Sequence, residues 1–285
     1  MALNFPVDGK SAHAANGSRE NSPDEPAVIP IHGAGLDRTI WQMQTRNIAF
    51  QGRRVYAVDL PGHGYSEGPV LQHIEEMANW VIRFMDAAGV DGATVMGHSM
   101  GSLIALDLAS RYPERTERLI LTGVAEAMPV HPDLLAAARV DEPLASELIV
   151  FWGLGEKAQT GGHPLPGLWV HGASEVLLKN AKSGVLANDL AACDNFGDVK
   201  ERAAKITCPT FFVLGRNDKM SPVKSGWRLG ARALIRTSKI PAAFSETIPQ
   251  RMPVVVMSLS TGPGPKPLSL RMSSGTPRWV KLPAR

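Results

Sequence analysis

Short apolar runs alternate with segments of helical spacing along the first half of the chain. Three of the runs end in glycine-containing turns, namely PAVIPIHGAG (26–35), RRVYAVDLPGHG (53–64) and GATVMGHS (92–99). Such runs are typical of buried parallel strands that lead into loops. Two more apolar runs, ERLILTGV (117–124) and PTFFVLGRND (209–218), predict further strands.

The segments between these runs predict helices. Apolar residues recur near helical spacing over 37–52 and most clearly over 73–89, where they share one face. A third helix is predicted over 100–112, directly before Pro113. Strands separated by helix-length segments indicate the α/β class, with a mostly parallel sheet covered by helices on both faces.

The alternation divides the chain into four parts. Residues 1–124 are predicted to form the first part of an α/β core, and 206–225 to return to it with one more strand. Between them, 125–205 contains helix-like pieces and predicts a helical cap over the carboxyl ends of the strands, where such sheets bind ligands. Residues 226–285 form a basic, proline-rich tail without periodicity, and the last 45 residues hold eight prolines.

Length and composition fit one large α/β domain or two smaller ones. The chain has 285 residues, of which 44% are hydrophobic, enough for a sizeable core. Cys193 and Cys208 have no metal spacing and are expected to be free thiols in a reducing compartment. The N-terminus lacks the pattern of a signal peptide, and no apolar run reaches about 18 residues. We therefore expect a cytoplasmic protein without a membrane span, a metal or an organic cofactor.

The charge is concentrated at one end. The net charge is +3, yet the segment from 219 to the end has twelve Lys and Arg and one acid, Glu246. One explanation is a basic arm that binds nucleic acid. Since only Trp227, Phe244 and Trp279 supply aromatic rings to such an arm, we expect no nucleic-acid partner.

A serine lies between two glycines where a predicted strand gives way to a helix. In GHSMG (97–101), Ser99 has Gly97 and Gly101 two positions away on either side. Glycine lets strand and helix approach closely around a strained residue, and the start of the helix supplies free N–H groups. This is the G-x-S-x-G pattern of a nucleophile elbow.

Further motifs extend the pattern. In order along the chain they are HGAG (32–35), DLPGHGYS (59–66), GHSMG (97–101), RYPERTERLILTG (111–123) and LGRND (214–218). With these motifs the chain resembles the α/β-hydrolase fold family, of the serine esterase and carbon–carbon hydrolase type, over roughly residues 3 to 225. The resemblance implies an eight-stranded, mostly parallel sheet with a cap after the sixth strand. The last strand and last helix of the family are expected to be missing here.

The resemblance also implies roles for individual residues. Ser99 matches the nucleophile, and the N–H groups of Met100 and Ala34 match the oxyanion hole. Asp218 matches the acid that orients the catalytic histidine. His32 is assigned to substrate binding, although such a histidine usually supports its loop. Trp152 and Trp169 in the cap suggest an apolar roof over a hydrophobic substrate, with ordinary packing as the alternative.

The family order of serine, acid and histidine is not completed within this chain. No histidine follows Asp218; the eight present are His13, His32, His63, His73, His98, His131, His163 and His171. His98 adjoins Ser99, but its side chain is expected to leave the elbow in another direction. Our hypothesis is that a shifted reading frame after about residue 225 replaced the last strand, the last helix and the histidine. Sequencing the gene through codon 225 tests it.

The sequence therefore predicts a serine hydrolase that acts on a small apolar carboxylic ester through an acyl-serine, with activity impaired by the absent histidine. Lyases and cofactor-free peroxidases of this fold use the same triad and stay open. A non-catalytic protein that binds a small ligand is the alternative from another class. GHSMGS lacks the lysine of a phosphate loop, which argues against nucleotide binding.

Overall fold

One sheet of nine strands organises the described part of the chain. The computed structural model describes residues 2–160, 169–234 and 254–259. The strands are β1 (Ala2–Val7), β2 (Lys10–Ala15), β3 (Ala27–Ile31), β4 (Arg54–Val55), β5 (Ala57–Val58), β6 (Ala93–His98), β7 (Thr116–Thr122), β8 (Thr210–Gly215) and β9 (Val254–Leu259). Their order is β1-β2-β5-β3-β6-β7-β8-β9, with β4 beside β3. Because only Tyr56 separates β4 from β5, the two count as one interrupted strand, and the sheet then has eight.

The centre of the sheet is parallel, as predicted. Strands β3 to β8 pair in parallel, while β1, β2 and β9 join antiparallel at the two edges. Every residue of β3 is buried, whereas β6 and β8 alternate between buried and half-buried positions. Helices cover the strands, because parallel strands need crossover connections that pack on the sheet.

The helices fall into three groups along the chain. They are α1 (Gln42–Phe50), α2 (Ile74–Ala87), α3 (Met100–Arg111), α4 (Pro132–Arg139), α5 (Pro143–Gly153), α6 (Glu156–Gln159), α7 (Val170–Lys179), α8 (Val185–Asn195), α9 (Val199–Ala203) and α10 (Val223–Leu234). Helices α1 to α3 alternate with strands, α4 to α9 lie between β7 and β8, and α10 follows β8. Ten of the twelve residues of α3 are buried, so it is the central helix of the main core.

A second apolar cluster joins the helices between β7 and β8. Its buried members include Leu134, Val150, Leu178, Leu186 and Leu190. Ala34 and Leu36, from the loop after β3, pack against this cluster. The helices α4, α5, α7 and α8 therefore share a small core of their own that rests on the loop following β3.

The N-terminal hairpin was not predicted. Strands β1 and β2 pair in register from Ala2 opposite Ala15 to Val7 opposite Lys10. Asp8 and Gly9 join them with φ angles of 51° and 73°. Positive φ at both central residues is characteristic of a type I′ turn, for which Asp-Gly is a preferred sequence.

The chain stays regular beyond the predicted boundary at residue 225. Helix α10 runs through that boundary, and its Leu229 is fully buried in the main core. Strand β9, with the β-branched sequence VVVMSL, pairs antiparallel with β8. Helix α10 and strand β9 therefore extend into the stretch predicted to be an aperiodic tail. The absence of the family's last strand and last helix stays a prediction. Residues 235–253 and 260–285, on which most of the tail hypothesis rests, lie outside the described residues.

No helix of the described residues is both long enough and apolar enough to cross a bilayer.

Candidate active site

Ser99 occupies the turn between β6 and α3 in a strained conformation. Its φ of 52° and ψ of −117° are rare for a residue with a side chain. Its N–H donates to Thr122 O over 2.9 Å, which ties the turn to β7. Among the described residues, Ser99 Oγ has no hydrogen-bond partner, and the residue is partly exposed. The elbow predicted from the sequence thus holds a hydroxyl that remains available.

Ser102, one turn into α3, holds the elbow from behind. Its buried Oγ lies 2.9 Å from Gly97 O and 2.9 Å from Thr122 O, and it accepts the Thr122 N–H over 3.0 Å. This residue therefore joins the end of β6 to the end of β7 beneath Ser99. No sequence motif marks Ser102, because a serine in a helix gives no signal of such a role.

The loop after β3 lies directly against the elbow. A Cβ atom placed on Gly33 would come within 2.9 Å of His98 Nδ1 and 3.3 Å of Ser99 Cβ. Ala34 follows Gly33 and is partly buried, and Met100 is the fully buried first residue of α3. Amides in the first turn of a helix have no partner within the helix. The two predicted oxyanion-hole residues thus belong to the two backbone segments that meet at Ser99.

His32 supports this loop from inside the core. The residue is fully buried; its Nδ1 donates to Gly33 O over 2.9 Å, and its Nε2 accepts the Leu60 N–H over 3.1 Å. Burial lowers the pKa of His32 to about 3, so the ring is neutral. Because both ring nitrogens are occupied by the backbone, the assignment of His32 to substrate binding is not supported by this geometry.

Asp218 lies near the elbow, but hydrogen bonds within its own turn already occupy its carboxylate oxygens. Oδ1 accepts the N–H groups of Met220 and Ser221 over 2.9 and 3.0 Å, and Oδ2 accepts the Ser221 hydroxyl. A Cβ atom on Gly123 would lie 3.7 Å from Asp218 Oδ2 and 4.0 Å from His98 Cδ2. The acid is therefore near the elbow and bonded within the turn after β8.

No histidine of the described residues hydrogen-bonds to Ser99 or Asp218. His98 Nδ1 is buried without a partner, and its ring packs edge-on against Trp41. Burial lowers the pKa of His98, opposed by the nearby charge of Asp218. His131 caps α4 and His171 contacts Glu175, while His163 lies outside the described residues.

The two tryptophans assigned to substrate binding occupy different environments. Trp152 is partly buried against the cap cluster, and its carbonyl accepts the Lys219 N–H over 2.9 Å, which links α5 to the turn after β8. Trp169 is 64% exposed and stacks on His171. Within the described residues Trp169 therefore does not close a pocket together with Trp152.

No group of three or more His, Cys, Asp or Glu among the described residues could hold a metal ion. The loop after β3 also contacts a buried carboxylate that no sequence motif marks. Asp189, on α8, is fully buried and accepts the Gly35 N–H over 2.9 Å. Its only sequence signal is an acid among apolar residues of a predicted helix.

The family follows from comparison with known proteins. A family model described as alpha/beta hydrolase fold matches residues 26–250. The chain belongs to the α/β-hydrolase fold family. It is 32% identical over 222 residues to 2-hydroxy-6-oxo-6-phenylhexa-2,4-dienoate hydrolase of Burkholderia cepacia, covering 72% of this chain and 76% of that one.

Two further proteins are similar to this chain, one by sequence and one by structure. Pimeloyl-[acyl-carrier protein] methyl ester esterase of Vibrio atlanticus is 27% identical over 235 residues, covering 75% of this chain and 84% of the relative. The crystal structure of the enol-lactonase from Burkholderia xenovorans LB400 superposes with a TM-score of 0.71 at 23% identity, covering 81% and 87%. The structural likeness shows the shared fold, and the two relatives by sequence named above are a hydrolase and an esterase.

Proposed function

We propose that the protein is a serine hydrolase that cleaves small apolar carboxylic esters through an acyl-enzyme on Ser99. The observation that carries this proposal is the strained Ser99, with φ of 52° at a strand-to-helix turn and a hydroxyl without a hydrogen-bond partner among the described residues. Such strain persists where the surrounding structure holds it for a functional reason. The esterase among the relatives supports the substrate class.

In the proposed reaction, Ser99 Oγ attacks the ester carbonyl, and the carbonyl oxygen becomes negatively charged. The N–H groups of Met100 and Ala34 stabilise this oxyanion, each by about 3 kcal/mol. Collapse expels the alcohol and leaves the acyl group on Ser99, and water then releases the acid. These steps need a base that takes the Ser99 proton and returns it to the leaving group.

The base is the incomplete part of the site. Since no histidine follows Asp218 in this chain, we propose that turnover is slow. Loss of one triad member in comparable hydrolases lowers turnover by about 10⁴ to 10⁶, and catalysis by the oxyanion hole and binding remains. The hypothesis of a shifted reading frame is retained as the explanation.

A second substrate class deserves a direct comparison. The relative at 32% identity is named for a 2-hydroxy-6-oxo-dienoate, in which the bond next to a ketone is cleaved instead of an ester. Attack by Ser99 on a ketone carbonyl would use the same two amides. Parallel assays with a chromogenic short-chain ester and with such a dienoate compare the two classes.

The remaining alternative is a protein that binds a small ligand without catalysis. A fluorophosphonate probe separates the two, because it modifies a nucleophilic serine, even slowly, and leaves an inert serine unmodified. We expect slow but saturable labelling of the wild-type chain and none of the S99A variant. Equal labelling of both proteins, or none of either, contradicts the proposal.

The decisive experiment repairs the C-terminal segment. The residues after 225 are replaced by the corresponding C-terminal segment of the relative from Burkholderia cepacia, and ester hydrolysis is measured with and without the replacement. We expect an increase of about 10⁴ or more, which S99A abolishes.

A cytoplasmic location is part of the proposal, and the unpaired Cys193 and Cys208 support it.

A further inference from the structure

A single carboxylate oxygen links the cap to both loops at the candidate site. Asp189 Oδ2 accepts the Gly35 N–H over 2.9 Å and contacts His63 Nε2 at 2.8 Å. Gly35 belongs to the loop after β3, and His63 belongs to the loop after β5. Asp189 itself lies on α8, and its side chain is completely buried. Burying a carboxylate costs free energy unless hydrogen bonds or a charged partner compensate it. The contacts of Asp189 with Gly35 and His63 supply this compensation.

The partners of His63 determine its charge. Its Nδ1 lies 3.1 Å from Pro61 O, which only accepts hydrogen bonds, and its Nε2 faces Asp189. With Asp189 ionised, both ring nitrogens must carry a proton, and His63 is an imidazolium. Burial opposes this charge, but Asp189 and Asp59 together raise the pKa of His63.

The other titratable groups around His63 and Asp189 do not change the assignment of His63 as an imidazolium. The ring of His32 lies 4.8 Å from that of His63 and is neutral, since burial lowers its pKa to about 3. Asp37 and Lys182 line a small cleft of about 50 Å³ that also borders His63, and they bring opposite charges to it. The pair formed by His63 and Asp189 is therefore the main local electrostatic feature.

The contact with Gly35 fixes the residue that precedes it. Gly35 N belongs to the same peptide group as Ala34 C=O, and Gly35 has φ of 64°. A Cβ atom on Gly35 would lie 2.8 Å from a methyl carbon of Leu186 and 3.5 Å from one of Leu178, both in the cap cluster. The cap thus holds the Ala34–Gly35 peptide by one hydrogen bond and by close apolar packing. The preceding peptide, which carries the Ala34 N–H, is held through Gly33 O by His32 Nδ1 and the Leu36 N–H, so Ala34 is fixed from both sides.

We propose that Asp189, paired with protonated His63, is a positioning residue that aims the Ala34 N–H into the oxyanion hole and makes that hole depend on the docked cap. The inference rests on the proposed function, because it assigns a purpose to the loop of the same site. Asp189 does not touch the reacting atoms.

The variant Asp189→Asn tests the pair at constant volume. An amide oxygen in the place of Oδ2 keeps Gly35 bonded but no longer stabilises the charge on His63. An amide nitrogen there suits neutral His63 but points a donor at the Gly35 N–H. Either orientation therefore loses one of the two contacts. Asp141→Asn is the matched control, because Asp141 Oδ1 accepts the Gly184 N–H just before α8 and touches neither loop.

Three readouts are made on the full chain. We expect Gly35 amide exchange, followed by NMR, to become about tenfold faster in D189N and to stay unchanged in D141N. Fluorophosphonate labelling of Ser99 should slow by a similar factor in D189N only. In wild type, the His63 ring resonances should be those of an imidazolium at pH 7. Since either amide orientation loses one of the two contacts, a D189N chain in which both Gly35 exchange and the His63 imidazolium are unchanged overturns the proposal. A neutral His63 in wild type also overturns it.

The experiments can contradict the proposed function and the positioning role of Asp189 independently of each other. If wild type does not react with the fluorophosphonate, the proposed function is wrong, whereas the link to Gly35 is still decided by amide exchange. If D189N does not fold, His63→Gln replaces it, since loss of the charge on that side is expected to accelerate Gly35 exchange as well. H63Q with wild-type exchange and wild-type labelling would overturn the proposal.

Discussion

Gly97 packs backbone to backbone against Gly101 across the turn that carries Ser99. A Cβ atom on Gly97 would lie 2.1 Å from the carbonyl oxygen of Gly101 and 2.5 Å from Ser102 N. These neighbours are main-chain atoms and cannot move aside as a side-chain tip would. The geometry explains why glycine occupies position 97 although nothing catalytic is attached to it.

The variant Gly97→Ala is therefore expected to destabilise the fold strongly. We expect a loss of about 3 kcal/mol or more in the free energy of unfolding, measured by urea denaturation. Gly197→Ala is the control, because a Cβ there has no heavy atom within 4 Å and the residue is exposed. Its effect should stay within about 0.5 kcal/mol. Equal stability of G97A and G197A would contradict the close approach at the elbow.

Strain at Ser99 predicts opposite effects on stability and on reactivity. Ser99→Gly removes the backbone strain of φ at 52°, which costs of the order of 1 to 3 kcal/mol in the folded state. Glycine also makes the unfolded chain more flexible, and this entropy offsets part of the gain in stability. We expect S99G to be about 1 kcal/mol more stable than S99A in urea denaturation. Both variants should lose fluorophosphonate labelling. If S99G were less stable than S99A, the backbone at this position would not be strained.

Much of the core follows from local patterns. The strands from β3 to β8 were predicted because each is a short apolar run that ends at a turn, and tertiary pairing only trimmed their ends. The hairpin of β1 and β2 was missed, although Asp8-Gly9 carries a turn signal, since its strands show weak alternation. The helix through residue 225 was obscured by the basic composition that follows it.

The candidate site was predictable only where a motif marks it. Ser99 and Asp218 carry such motifs. Ser102 and Asp189 do not, because their roles arise from contacts made 20 or more residues away, with Thr122 and with Gly35. Likewise the sequence identifies His32 as part of a loop motif, but only its two backbone hydrogen bonds show that it is a support.

Buried histidines predict a loss of stability in mild acid. The pKa of His32 falls from 6.5 to about 3 on folding, so the unfolded chain binds this proton more tightly than the folded chain. The resulting stabilisation is complete above pH 6.5 and is lost as the pH falls from 6.5 towards 3. This group alone contributes up to about 1.4 kcal/mol per pH unit in that window.

Urea denaturation of wild type and H32Q between pH 7.5 and 4.5 measures this contribution. The difference in unfolding free energy between the two proteins should shrink as the pH falls. His13 and His98 have lowered pKa values too, but both are present in wild type and variant and cancel in the difference. A difference that is independent of pH would mean that His32 binds a proton in the folded state.

The role of Asp218 is expected to depend on whether a histidine faces it. In the present chain its carboxylate serves the turn with Met220 and Ser221, and Asp218→Asn keeps an oxygen that accepts their N–H groups. We therefore expect D218N to cost about 1 kcal/mol in unfolding free energy and to leave the slow labelling of Ser99 nearly unchanged.

In the chain with the repaired C-terminal segment, the same substitution should lower ester turnover by about 10⁴, because the acid then orients the histidine. The comparison is made by measuring kcat for both backgrounds with and without D218N. The effect of one substitution thus reports whether the triad is assembled, since positioning groups act strongly only when the group that they position is present. A loss of about 10⁴ already in the unrepaired chain would show that a base within this chain acts through Asp218.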